Sequence, residues 1–166
     1  MGAGRAYRAT MAKDLLRVEI DGVMYALEVE RIREIVNPLP LIQLPRERVF
    51  VLGVCDYRDE VVPVVDLRRF FGLGPAETTR RTKWIIIESG GRLAGVVVDA
   101  VLDVFSSAAD DRRRVPVLDE RHRERGITNA YRHRDNLVFV LDAERLAEPA
   151  MRIPSSELSE LPPEAP

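Results

Sequence analysis

Residues 64–71 read Val-Val-Asp-Leu-Arg-Arg-Phe-Phe, and residues 140–147 read Val-Leu-Asp-Ala-Glu-Arg-Leu-Ala. Each is the apolar end of a strand, then an aspartate placed to cap a helix, then a short amphipathic helical turn. A partial third copy begins at Val96, as Val-Val-Val-Asp-Ala-Val. Repetition of this kind points to two related β units in place of one sandwich.

The remaining segments fit a mainly β chain. Two apolar runs flank Asp21-Gly22, a dipeptide that supplies the positive φ a two-residue hairpin loop needs. A second pair of runs, 50–55 and 61–66, flanks a polar bend at 56–60, with Asp66 as cap and Gly72 as the stop of the helical turn. Pro63 marks part of that second run as an edge or a bulge, because proline cannot donate to a ladder. Residues 84–88 and 92–106 form another hairpin about Gly90-Gly91, and their β-branched content favours strand over helix. Residues 30–36 suit a short helix or a strand, ended by Asn37-Pro38, and 41–45 read as a short extended piece. Residues 110–134 lack a clean period and read mostly as loop with short strands. The expected organisation is a flexible arm over 1–12, a folded region over 13–149, and a disordered Pro/Ser/Glu-rich tail over 150–166.

Composition narrows the function. A net charge of -2 gives neither a strongly basic nor a strongly acidic field, which disfavours nucleic-acid binding as a global property. The one cysteine, Cys55, cannot form an intrachain disulfide or a cysteine-based zinc cluster, in keeping with a reducing cytoplasm. No apolar run reaches the roughly 18 residues a membrane span requires, so no direct membrane insertion is expected.

Catalytic patterns are missing from the sequence. It has no nucleophile elbow, no Walker-type loop and no glycine-rich turn opening a helix. Asp66, Asp99 and Asp142 each follow an apolar strand, where a cap or turn explains them better than paired carboxylate chemistry. His122 and His133 lack metal-ligand spacing and read as solvated loop residues. Residues 121–134 hold five arginines and two histidines against one glutamate, but nearby acidic residues dilute the field that phosphate binding needs. The expectation is no catalytic residue, no metal and no cofactor. A small β-barrel enzyme or nucleic-acid binder remains the alternative from another class.

The block Gly-Val-Cys-Asp-Tyr-Arg-Asp-Glu-Val-Val-Pro-Val-Val-Asp-Leu-Arg resembles the signature of the CheW family of chemotaxis coupling proteins, at Gly53, Val54, Arg58, Pro63, Val65, Asp66, Leu67 and Arg68. Residues 30–36, 95–104 and 136–146 resemble three further family segments, so the resemblance spans about 13–148. It implies two tandem, intertwined SH3-like five-stranded β-barrel subdomains with short helices. It also implies a non-enzymatic adaptor, cytoplasmic and recruited to receptor arrays. Its partners would be the signalling tip of a methyl-accepting chemoreceptor and the regulatory domain of a CheA-type histidine kinase. A specialised paralogue keeping one of those interfaces is the alternative.

By the same resemblance, Ile32, Glu34 and Arg58 fall at receptor-contacting positions, and Val97 and Val98 in the strand lining the groove between subdomains. Plain core packing accounts equally well for the two valines. Arg113 and Leu118 fall in the kinase-facing segment. The clearest departure is Asp59, where the family turn has glycine. Asp tolerates positive φ better than most residues, and its carboxylate beside Arg58 could hold that arginine in an internal pair, altering partner choice.

Overall fold

The computed structural model describes residues 13–107 and 119–160. Along the chain these form β1 (Asp14–Ile20), β2 (Val23–Glu28), a 3-10 turn (Val29–Arg31), β3 (Ile32–Val36), β4 (Val51–Tyr57), β5 (Glu60–Val65) and α1 (Leu67–Phe70). Then follow β6 (Lys83–Ser89), β7 (Arg92–Val98), β8 (Ala100–Ser106), α2 (Glu120–Glu124), β9 (Ile127–His133), β10 (Asn136–Leu141), α3 (Ala143–Met151) and α4 (Ser155–Ser159). The arm expected over 1–12 lies outside the described residues.

The strands make two five-stranded sheets, ordered β8-β1-β2-β10-β9 and β3-β6-β7-β5-β4. These are the two β units expected, and they are intertwined: the second sheet is contiguous in sequence and sits inside the first. The chain crosses back at Asp99, which alone separates β7 from β8.

The two sheets share one plan. In each, two antiparallel hairpins lie side by side through a parallel pair, β2 with β10 and β7 with β5. All four hairpins turn on two consecutive positive-φ residues, Asp21-Gly22, Arg134-Asp135, Gly90-Gly91 and Arg58-Asp59. That geometry matches the twist of the strands it joins. The correspondence reaches the capped helices. Asp66 N–H donates to the Phe50 carbonyl at 2.7 Å, and Asp142 N–H donates to the Gly126 carbonyl at 2.8 Å. Phe50 (φ 65°) and Gly126 (φ 79°) are both left-handed, so a phenylalanine holds in one sheet the conformation that glycine holds in the other.

Each sheet curls until its edges meet. In the first, Phe105 of β8 stacks on His133 of β9 with centroids 4.5 Å apart. In the second, the side chains of Glu34 on β3 and Arg58 beyond β4 pair. Each sheet keeps an apolar interior, Leu15, Ala26, Phe105, Val138 and Val140 in one and Cys55, Tyr57, Val62, Val64, Trp84 and Ile86 in the other. The largest cluster lies between the sheets, drawing Val18, Leu27, Val65, Ile85, Val96 and Leu146 into one core. Helix α3 follows the last strand of the first sheet but packs on β5, β6 and β7 of the second, so the two units bury one another.

Pro63 opposes Val54 of β4, while the β5–β7 ladder begins at Val64, so the missing proline donor falls where β5 has β4 alone as a partner. Residues 30–36 supply both a 3-10 turn and a strand.

Three expectations are overturned. Residues 150–160 are folded: Ile153 is fully buried, Leu158 is 9% exposed, and α4 packs against the second sheet. Their low apolar content misled because two well-placed side chains suffice when a groove already exists. Residues 119–134 hold more regular structure than a loop with short strands: besides the strand β9 they form the helix α2, with Asp119 and His122 making a reciprocal capping box. His133 is 5% exposed and packs on Phe105, because strand alternation puts it on the same face as Tyr131, toward the first sheet's interior, so it is no solvated loop residue.

Candidate protein-docking site

β3 is an edge strand, and the tip of the β4–β5 hairpin curls toward it. This brings together two of the residues the sequence singled out. Arg58 Nη2 donates to Glu34 Oε1 at 2.6 Å, and its Nε donates to the Tyr57 hydroxyl at 3.2 Å. The guanidinium also lies over the Tyr57 ring, 5.6 Å from its centroid. Tyr57 is buried and fixed by its place in β4, so it serves as a platform from which a 72% exposed arginine is held in one pose.

The electrostatics follow from these contacts. The hydrogen bond from Arg58, then that from Tyr57, hold the Glu34 carboxyl below the usual glutamate range. The same bond, donated to Glu34, raises the Arg58 guanidinium further above its ordinary value. Beside them Arg33 is paired with Glu88 across β3 and β6 at 2.5 Å, which raises its own pKa. Arg33, Glu34, Tyr57, Arg58, Glu60 and Leu93 line an open cavity of about 340 Å³. It offers one apolar side chain and a preset pattern of charge, which suits recognition of a protein surface.

Asp59 does not pair with Arg58; the internal partner of Arg58 is Glu34. Arg58 (φ 47°) and Asp59 (φ 66°) are both left-handed, so the turn keeps the conformation a glycine would adopt and adds a carboxylate at its tip.

The other residues singled out lie elsewhere. Ile32 is half-buried against the core between the sheets. Val98 is fully buried in that same core and has no surface to offer a partner, which corrects its reading as a groove residue. Val97 points the opposite way and packs, half-buried, against the second sheet's interior beside Trp84. Alternation along β7 puts neighbouring valines on opposite faces, so they cannot line one groove. Arg113 and Leu118 lie outside the described residues. Tyr57, Leu93 and Glu60 were missed. The inward alternation of Cys55 and Tyr57 in β4 is the signal that could have found the first of them.

Among the described residues no group of histidine, cysteine, aspartate and glutamate is arranged to hold a metal ion. No helix among them is long and apolar enough to cross a membrane.

The model of the CheW-like domain matches residues 14–150, which takes in both sheets and α3. The chain belongs to the CheW-like family. Protein FrzA of Myxococcus xanthus is 39% identical over 90 residues, covering 54% of this chain and 51% of FrzA, so the match spans about half of FrzA's length. The probable chemotaxis protein CheW of Rhizobium etli is 28% identical over 118 residues, covering 69% of this chain and 76% of its own. Among solved structures, the scaffolding protein TtCheW from Thermoanaerobacter tengcongensis superposes with a TM-score of 0.71 at 23% identity, over 82% of this chain and 88% of that one. That likeness shows the shared fold, two barrel subdomains of five strands each.

Proposed function

We propose that this chain is a non-enzymatic adaptor that joins the cytoplasmic signalling tip of a methyl-accepting chemoreceptor to the regulatory domain of a CheA-type histidine kinase. The observation that carries the reading is the Glu34–Arg58 pair, set on the Tyr57 platform at the meeting edges of the second barrel. A receptor tip is helical, and the cavity at this pair presents Leu93 to its apolar face while the charges fix its register. Glu34, Arg58 and the half-buried Ile32 are the receptor-side residues in this reading. Arg113 and Leu118 remain the kinase-side residues on the family resemblance alone.

The adaptor works in the cytoplasm, held at receptor arrays by several weak interfaces acting together, and needs no cofactor. Calorimetry of the full chain against a receptor-tip fragment, and separately against the kinase regulatory domain, tests it. Binding to both establishes coupling, binding to one marks a paralogue specialised for that partner, and binding to neither removes the proposal.

A further inference from the structure

The family match stops at residue 150, and the described chain runs on to Glu160. This extra segment is tied down at few points. Ile153 and Leu158 enter an apolar groove made by Ile42, Leu44, Val51, Val54 and Val61. Arg92 on β7 donates to the Met151 and Ile153 carbonyls at 3.1 and 2.8 Å. Arg48 pairs with Glu157 at 2.5 Å. Everything else about α4 faces outward: of its five residues only Leu158 is buried. Two apolar anchors and a few charged hydrogen bonds must offset the ordering of this segment, which places it at the low-stability end of the described residues.

Its position gives it a consequence. A second open cavity, of about 360 Å³, separates α4 from the β4–β5 hairpin, with Asp59, Arg92 and Ser155 on its walls. Glu60 and Leu93 line both this cavity and the one at the Glu34–Arg58 pair. The groove under the segment and the receptor-facing surface are therefore parts of one continuous face.

We infer that residues 152–160 act as a removable strap that limits how far the receptor-facing surface extends, an inference that rests on the receptor reading above. At rest the chain's own segment fills the groove. When the strap lifts, the groove exposes an apolar floor flanked by Arg48 and Arg92. The receptor's helical tip, carrying paired apolar side chains and a carboxylate as the strap does, extends into it from the Glu34–Arg58 site. Docked strap and extended receptor contact exclude each other, so the strap lowers the apparent receptor affinity by the fraction of time the groove is closed.

The test uses the full chain. The double variant Glu157→Arg, Leu158→Glu alters only the strap and leaves the groove intact. Amide exchange across 151–160 should rise while that of β6 and β7 stays at the wild-type rate, showing that the fold survives. Affinity for the receptor-tip fragment should then rise about tenfold. Arg48→Glu alone should also free the strap, and Arg48→Glu with Glu157→Arg should restore slow exchange by re-forming the pair with its signs reversed. Freed strap with unchanged or weaker receptor affinity overturns the inference. If no form of the chain binds the receptor fragment, the receptor reading fails by itself. A fluorescent peptide of residues 150–160 then decides the strap: binding to the strap variant and not to wild type supports a vacated groove, and no binding to either overturns it.

Discussion

Arg68, on the short helix after β5, donates through Nη1 to Asp99 Oδ2 at 2.8 Å, at the point where the chain passes from one barrel to the other. The same guanidinium donates to the Gly74 carbonyl at 2.7 Å and reaches Asp21 Oδ1 at 3.3 Å in the β1–β2 turn. Asp99 Oδ2 also accepts from the Asp21 N–H at 2.8 Å. One arginine thus fastens the crossing, a hairpin of the first barrel and the loop after α1. The Val-Asp-Leu-Arg signature now has a physical reading: Asp66 accepts from the Arg69 N–H to cap α1, Leu67 is fully buried, and Arg68 locks the barrels together.

Arg68→Ala should lower the unfolding free energy by about 2 kcal/mol, since charge-assisted bonds to partly buried partners are lost together. Arg68→Lys should recover only part of it, because an ammonium cannot reproduce the planar fork. Urea denaturation measures both. Arg81→Ala is the control: its pair with Glu19 is longer, at 3.4 Å, and its side chain is 64% exposed. That change should cost no more than about 1 kcal/mol.

Gly53→Ala should be destabilising for a reason apart from burial. A Cβ at position 53 would lie 2.7 Å from the Ile42 carbonyl oxygen, which also accepts from the Val54 N–H. Either the carbonyl moves and that bridge weakens, or the β4 backbone shifts; overpacking of this sort costs about 1–3 kcal/mol. The loss should appear as a lower Tm, with faster amide exchange at Ile42 and Val54.

Much of this architecture was legible in the sequence, and the limits are instructive. Asp21-Gly22, Gly90-Gly91, Asp66 and Asp142 act through local backbone chemistry, so a short window sufficed to place them. The repeat of strand, aspartate and helical turn correctly announced two related barrels. Val97 and Val98 could not be sorted, because which face of β7 meets the other barrel depends on strands far away in sequence. Glu34 and Arg58 were each singled out by resemblance, yet their pairing depends on the curl of a whole sheet. The alternative partner, Asp59, lay adjacent in sequence and points elsewhere. The tail failed for the same reason: its composition describes an isolated segment, and the groove that receives it is built by residues 42–61.

The Glu34–Arg58 pair should be visible in a titration. Arg58 holds the folded-state pKa of Glu34 below its unfolded value. The pair's contribution is therefore complete above the ordinary glutamate pKa, near 4.3, and disappears as pH falls through the lower folded value. Side-chain carboxyl NMR should place the Glu34 midpoint below that of an exposed glutamate. In Arg58→Ala it should return toward the ordinary value while the fold is unchanged, because both side chains lie at the surface.

Asp59→Gly tests the turn. Glycine takes the positive φ without the steric cost aspartate carries, so the hairpin should be unchanged or stabilised by a few tenths of a kcal/mol. The Arg58–Glu34 bond should persist, since Asp59 is not part of it. Any change in receptor-fragment affinity, read by calorimetry at low and high salt, should then be salt-dependent and trace to the removed charge.

Met24 of β2 finds its parallel partner in Val138 of β10, and the whole second barrel is strung between them. On the ribosome, β3 to β7 emerge together and can pair at once. β1 and β2, made before them, have both edges uncovered until β8 and then β9 and β10 arrive to close the barrel. The nested arrangement therefore lets the inner barrel complete before the outer, and leaves the β1–β2 hairpin the longest without its partner strands during synthesis.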